Sequence, residues 1–184
     1  MATLDVKGRA PKTGYSRDAF GQRWSDDVDV ELGHNGCDTR NDILRTQLTN
    51  VALKPNTQGC VVLSGTLVSP YSGDTIQFQR GNDTSTLVQI DHVVALADAW
   101  QSGAFQWDED TRRNFANDPR NLRAVEGHLN QQKSASNAAS WVPPKNRCHY
   151  AIDQVTVKAA YHLWVTAPEK EALSRYLHEC GSDR

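Results

Sequence analysis

Val88-Gln89-Ile90-Asp91-His92-Val93-Val94 is a short, nearly all-apolar run that sets a carboxylate beside an imidazole. Its aliphatic density predicts a strand. A strand alternates its faces, so Asp91 and His92 point to opposite sides unless the strand ends or bulges there. Burying a lone charge is costly, so an acid and a histidine in an apolar run need a reason. A capped strand end with a satisfied core histidine is one reason, and a functional pair is the other. The second gains weight from two later stretches, Asn117-Asp118-Pro119-Arg120-Asn121-Leu122 and Asn130-Gln131-Gln132-Lys133.

Working outward, residues 1–14 are polar with Gly8, Pro11 and Gly14 and read as an extended arm, followed by a short helical turn within 15–24. The acid-rich stretch 26–36 ends in turn residues and reads as a loop. It lacks the oxygen-ligand spacing of a calcium-binding EF-hand. Thr39 is expected to cap a helix that carries Asp42 in its first turn and Ile43, Leu44, Leu48 and Val51 inward, until Pro55 ends it. Residues 60–68 form a strand with a possible site for a bulge at Gly65, 69–74 a turn, and 75–79 the return strand. Gly81-Asn82-Asp83 turns into the strand 86–94. Helices are expected at 95–100 and 108–116, the second broken by Asp118-Pro119. A strand at 122–125 and a helix at 126–133 follow, then a loop to Cys148. Two closing helices, 150–165 and 168–180, are joined by a Thr166-x-x-Glu169 capping box.

With 184 residues and 38% hydrophobic side chains, the chain suits one domain with a true core. No apolar run approaches the ~20 residues that span a bilayer. Met1 is followed by Thr3, Asp5, Lys7 and Arg9 with no apolar signal region, as in a cytosolic protein or in a mature secreted one. The cysteines favour the secreted setting. Cys37, Cys60, Cys148 and Cys180 contain no C-x-x-C pair, which argues against a zinc ribbon. Of three pairings, the most local joins Cys37 to Cys60 and Cys148 to Cys180, and it implies an oxidising compartment. Four buried free thiols are the alternative. Net charge is −2, but residues 111–160 hold eight Lys/Arg against three acids, a candidate polyanion path or simply a solvated face.

The ordered set of stretches resembles the HNH endonucleases, whose fold is the ββα-metal motif, and within them the bacterial secreted group related to the nuclease domains of modification-dependent restriction enzymes. The resemblance is carried by Asn35-Gly36-Cys37-Asp38-Thr39-Arg40-Asn41-Asp42, Ser64-Gly65-Thr66-Leu67, Ile90-Asp91-His92-Val93-Val94-Ala95-Leu96, residues 116–122, residues 130–133 and Trp141-Val142-Pro143-Pro144. It implies an α+β fold: a ββα core at about 86–136 with an added N-terminal β-hairpin region and C-terminal helices, making one domain over 15–184 behind the arm. The name-giving third histidine is Asn130 here, a variation the family carries.

The resemblance implies roles as well. His92 is the expected general base, since an imidazole with an ordinary pKa near ~6.5 is largely neutral at pH 7. Asp91 and Asn130 are expected to hold one divalent ion through hard oxygens, which suits Mg²⁺ or Mn²⁺. Asn121 is expected to orient His92 by accepting from its far ring nitrogen. Lys133 and Arg40 are expected to contact substrate phosphate, although an Asp38–Arg40 pair beside a disulfide is an equal reading for Arg40. His34, His128, His149, His162 and His178 are expected at the surface or in structural roles. The implied protein is a secreted or extracytoplasmic, monomeric, metal-dependent endonuclease acting on DNA, or RNA, with little sequence preference. Two other classes fit fewer residues: a non-catalytic, disulfide-stabilised extracellular nucleic-acid-binding module, and a protein built on zinc through its four cysteines.

Overall fold

The computed structural model describes residues 4–81 and 85–182. Most of the expected turn at 81–83, and the first three residues of the arm, lie outside that range. The elements run α1 (Thr39–Gln47), β1 (Thr49–Leu53), β2 (Val62–Val68), β3 (Thr75–Gln79), β4 (Val88–His92), α2 (Leu96–Gln101), α3 (Glu109–Asn117), β5 (Leu122–Glu126), α4 (Gly127–Lys133), α5 (Arg147–Ala160) and α6 (Ala167–Ser182). The fold is mixed α/β. β1, β2 and β3 form one antiparallel sheet. β4 and β5 form a second, with Asp91 opposite Arg123 and His92 opposite Leu122. α4 follows β5 at once and packs on both strands, giving a β-β-α unit.

The stretch 88–94 feeds all three hydrophobic clusters. Val88 and Ile90 pack with Ile43, Leu44, Phe78 and Leu122. Val93 packs with Val125, Tyr150 and Leu173. Val94 packs with Phe20, Trp100 and Phe115. This division is possible because β4 stops at His92: the chain leaves the two-face alternation there and turns its next residues into separate cores.

Two local expectations change. The cap of α1 is Asp38, whose carboxylate accepts from Asn41 N at 2.9 Å, while Thr39 donates its hydroxyl to Ser25 O at 2.8 Å. The helix also stops at Gln47, and residues 49–53 are a strand, not its last turns. Asn50 takes a left-handed φ of 51°, and the β1–β2 register shifts between Thr49 and Ala52. The extra residue of that shift sits in β1, across from Gly65, and a second shift between Ala52 and Leu53 puts one in β2 between Val62 and Ser64. What Gly65 provides is close approach: a Cβ there would lie 2.9 Å from the Leu48 side chain. The remaining elements fall where the periodicity placed them, to within a few residues, except that α5 ends at Ala160, five residues before Val165, which instead forms a parallel bridge with Val6. Both local disulfides, Cys37–Cys60 and Cys148–Cys180, are present, and no described cysteine is free. Among the described residues no helix is long and apolar enough to cross a membrane.

The C-terminal helices are locked by a buried charge cluster. Lys158, 0% exposed, places its ammonium 2.9 Å from Asp98 and 2.6 Å from Glu169. Burial works against that charge, but the two carboxylates hold the Lys158 pKa above the ordinary lysine value. Glu169 also completes the capping box, accepting from Thr166 N while Thr166 Oγ1 accepts from Glu169 N, each at 3.3 Å. The arm runs alongside. Lys7 N donates to Val165 O at 3.0 Å, Ala10 N to Gln101 O at 2.8 Å, and Trp100 Nε1 to Thr13 O at 3.3 Å. Replacing Lys158 by Met strands two buried carboxylates. The expected loss is about 3–5 kcal/mol of unfolding free energy, read from the denaturation midpoint; a midpoint equal to that of the parent chain would show that the cluster contributes nothing net.

Candidate active site

Asp91, His92 and Asn130 line one cavity of about 500 Å³, together with Gln89, Lys12, Tyr15 and Arg17. β4 brings the first two, and α4 brings Asn130 because the helix begins directly at the end of β5 and crosses back over β4. The sequence-predicted acid, imidazole and amide therefore share a cavity.

Asp91 is buried, and both its oxygens are engaged. Oδ1 lies 3.0 Å from Lys133 Nζ, and Oδ2 accepts from the Tyr71 hydroxyl. Burial pushes the Asp91 pKa up, while the Lys133 ammonium and the Tyr71 hydroxyl pull it back. Tyr71 comes from the turn between β2 and β3, and Ser69 in the same turn hydrogen-bonds the buried Glu126. The turn is thus fastened to the β-β-α unit through two carboxylates.

Lys133, expected at substrate phosphate, does not line the cavity. It is fully buried, and its ammonium donates to Asp91 and, at 2.8 Å, to His92 O. The last turn of α4 packs against β4, so the side chain points inward where a phosphate cannot follow. Arg40 is half-buried over the Phe78 ring, 5.9 Å from its centroid, and lines neither of the cavities at His92. Burial, Arg80 and Arg23 depress its pKa, against the pull of Asp38. Asp38 spends its carboxylate on Asn41 instead of pairing with Arg40, and Asp42 pairs with Arg45 at 2.6 Å.

His92 donates from Nε2 to Ala116 O at 2.8 Å. That bond fixes the tautomer and leaves Nδ1 as the lone-pair nitrogen, with no hydrogen-bond partner among the described residues. The ring lies parallel to the Trp24 indole, 3° between planes and 5.8 Å between centroids. Burial drives the His92 pKa down to about 4, with Arg17, Lys133 and Arg23 adding to the effect and the Ala116 hydrogen bond opposing it. At neutral pH the ring is uncharged.

Asn121 does not touch the imidazole. Fully buried, it accepts from Val94 N through Oδ1 at 2.8 Å, returns its Nδ2 to Val94 O at 3.3 Å, and accepts from Val93 N through its own carbonyl at 2.8 Å. It clamps the backbone just after β4, and the orienting acceptor for His92 is the carbonyl of Ala116. Asn130 donates Nδ2 to Gln89 Oε1 at 2.8 Å, which leaves Oδ1 for the cavity. The five other histidines are exposed.

The basic stretch 111–160 is largely spent inside the protein. Lys133 and Lys158 are buried, while Arg113, Arg120 and Arg123 pair with Asp110, Asp118 and Asp153. The exposed cations at the cavities come from the N-terminal segment: Lys12, Arg17 and Arg23. Their interleaving with Tyr15, Phe20 and Trp24 is a sequence signal for nucleic-acid contact that could have revealed them. The Ala116 carbonyl carries no side-chain signal, and Tyr71 is indistinguishable in sequence from an ordinary turn residue.

Comparison with known proteins gives two matches. Residues 38–176 match the family described as GmrSD restriction endonucleases, C-terminal domain. The chain is also 38% identical, over 98% of its length and 82% of the relative's, to a protein of Arthroderma benhamiae described as an uncharacterized secreted protein.

Removing the Asn121 side chain would leave the Val94 amide and carbonyl without partners in the core. Asn121→Ala is expected to lose about 1–3 kcal/mol of stability, measured by guanidinium unfolding. An unchanged unfolding curve would mean that the turn after β4 holds its shape unaided.

Proposed function

Because the chain belongs to the family of the C-terminal domain of GmrSD restriction endonucleases, we propose that it is a nuclease that hydrolyses phosphodiester bonds at the cavity shared by Asp91, His92 and Asn130. The observation that carries this reading is the state of His92: neutral, pinned at Nε2 by Ala116 O, without a described partner at Nδ1, in a residue that lines the cavity with the carboxylate and the amide. A neutral core histidine needs no such neighbours.

The residues fit a hard divalent cation. The Asp91 carboxylate retains lone pairs beyond those used by Lys133 and Tyr71, and the Asn130 Oδ1 is left free by the Gln89 contact. Two protein oxygens with water and phosphate completing the shell suit Mg²⁺ or Mn²⁺. The β-β-α unit then corresponds to the ββα-metal fold. When bound, such an ion supplies positive charge to the phosphate oxygens and the departing 3′ oxygen.

The chain's own groups supply the rest. His92 Nδ1 accepts a proton from water as the water oxygen bonds to phosphorus and the P–O3′ bond breaks. The incoming phosphodiester sets negative charge beside the ring and moves its basicity back toward the ordinary histidine value. Ala116 O holds the opposite N–H throughout, so the ring receives the proton without turning. Asn121 keeps the backbone after His92 in place, and Lys133 holds Asp91 ionised from behind. Lys12 and Arg17 face the same cavity and take phosphate oxygens, the role first expected of Lys133 and Arg40. The substrate is DNA, or RNA, bound mainly through phosphates and therefore with marked salt dependence. Two disulfides and the relative described as secreted support an extracytoplasmic setting.

Supercoiled plasmid incubated with the protein and Mg²⁺ or Mn²⁺ should be nicked and then degraded, and chelator should stop it. His92→Ala should lower the rate about 10²–10⁴-fold with an unchanged melting temperature. Plasmid left intact by the parent protein across a series of divalent ions would sink the assignment, as would full activity in His92→Ala.

A further inference from the structure

A second cavity, of about 230 Å³, shares His92, Arg17 and Leu96 with the first. Phe20, Trp24 and Leu96 give it apolar walls, and Arg17 and Arg23 are its cations. Asp18 is the acid among its lining residues. Neither arginine has a carboxylate partner among the described ion pairs, and Arg23 lies 5.5 Å from the Trp24 ring centroid. Asn117 also lines this cavity and is only 2% exposed. Its Nδ2 is tied back to Arg113 O at 2.9 Å, while its buried Oδ1 has no hydrogen-bond partner among the described residues. A buried amide oxygen without a donor costs stability, and in a residue that lines a cavity it is an acceptor that a ligand N–H would satisfy once the side chain admits it.

We infer that this second cavity is a nucleotide subsite. One unpaired base enters against Trp24 and Phe20, Asn117 Oδ1 accepts an N–H from the base edge, and Arg17 and Arg23 hold the adjoining phosphate. The pairing of apolar aromatic walls with cations and one acceptor is the chemistry of a nucleotide, and unlike that of a bare anion. Because His92 and Arg17 border both cavities, the bound base belongs to a nucleotide flanking the phosphate that is cut; that placement rests on the hydrolytic reading above. A base held there is out of its stack, so the substrate class narrows to strands that are single or locally opened.

The test is calorimetric titration of the full chain in chelator, using each of the four deoxynucleoside 5′-monophosphates and inorganic phosphate as separate probes. Nucleotide should bind about tenfold or more tightly than phosphate, the order expected from stacking one base on aromatic rings. Asn117→Leu should erase most of that margin while leaving phosphate affinity intact. Arg23→Ala, at an exposed position that should not disturb folding, should weaken nucleotide and phosphate together by severalfold. Equal affinity for nucleotide and phosphate would overturn the subsite, as would parent-like nucleotide binding in Asn117→Leu. If Asn117→Leu does not fold, unaltered binding in Arg23→Ala overturns it alone. The two readings fail separately: nucleotide binding without plasmid cleavage removes the hydrolytic role, and cleavage without nucleotide binding removes the subsite.

Discussion

An ammonium with no access to water, Lys133 Nζ, sits 3.0 Å from Asp91 and 2.8 Å from the backbone carbonyl of His92. An isolated charge in that position would be strongly unfavourable, and so would an isolated carboxylate. Each is tolerable because of the other and because the Tyr71 hydroxyl takes the second carboxylate oxygen. The pair joins the last turn of α4 to the end of β4, and Tyr71 draws in the turn between β2 and β3. One electrostatic requirement thus decides how three separated segments meet. It also draws the Asp91 pKa back down, at the edge of a cavity where burial pushes it up.

The imidazole is handled by other means. No carboxylate orients it. A main-chain oxygen receives its proton-bearing nitrogen, an indole lies flat against its face, and nearby cations reinforce the neutral state set by burial. The acid and the histidine are neighbours in sequence, and burial pushes both toward their neutral forms; Lys133 and Tyr71 oppose that push at the acid, whereas the cations near the ring add to it. The difference lies in the partners: the carboxylate has an ammonium and a hydroxyl donor beside it, and the imidazole has a single backbone acceptor.

Much of this could be read from the chain. The strand at 88–92, its antiparallel partner at 122–126 and the helix at 127–133 follow from apolar density and turn residues, as do both disulfides and the Thr166–Glu169 box. Asp91, His92 and Asn130 were recognisable as a set because their types and order match a known pattern. The errors have physical causes. Thr39 and Asp38 are both good caps, and only the tertiary contact of Thr39 with Ser25 O separates them. Residues 49–53 carry weak signals, and pairing with β2 overrode the helical reading. The phosphate contact expected of Lys133 rests on its match to a family lysine just past Asn130; its buried partner Asp91 lies 42 residues away and leaves no periodic trace. Asn121 was given a ring contact that the Ala116 carbonyl provides, and backbone acceptors are invisible to any reading of side chains.

On the proposed reading, the groups that would face an incoming strand, from Lys12 to Trp24, lie in one stretch of chain and the acid and imidazole in another, with Arg17, Arg23 and Trp24 beside the histidine. Reactivity and target choice are therefore inherited on different parts of the polypeptide. The former is constrained by a buried ion pair and three converging cores; in the latter Phe20 is set in a core, while Lys12, Arg17 and Arg23 are exposed. Such a layout lets natural variation retune what is bound, side chain by side chain, without passing through forms that have lost the chemistry.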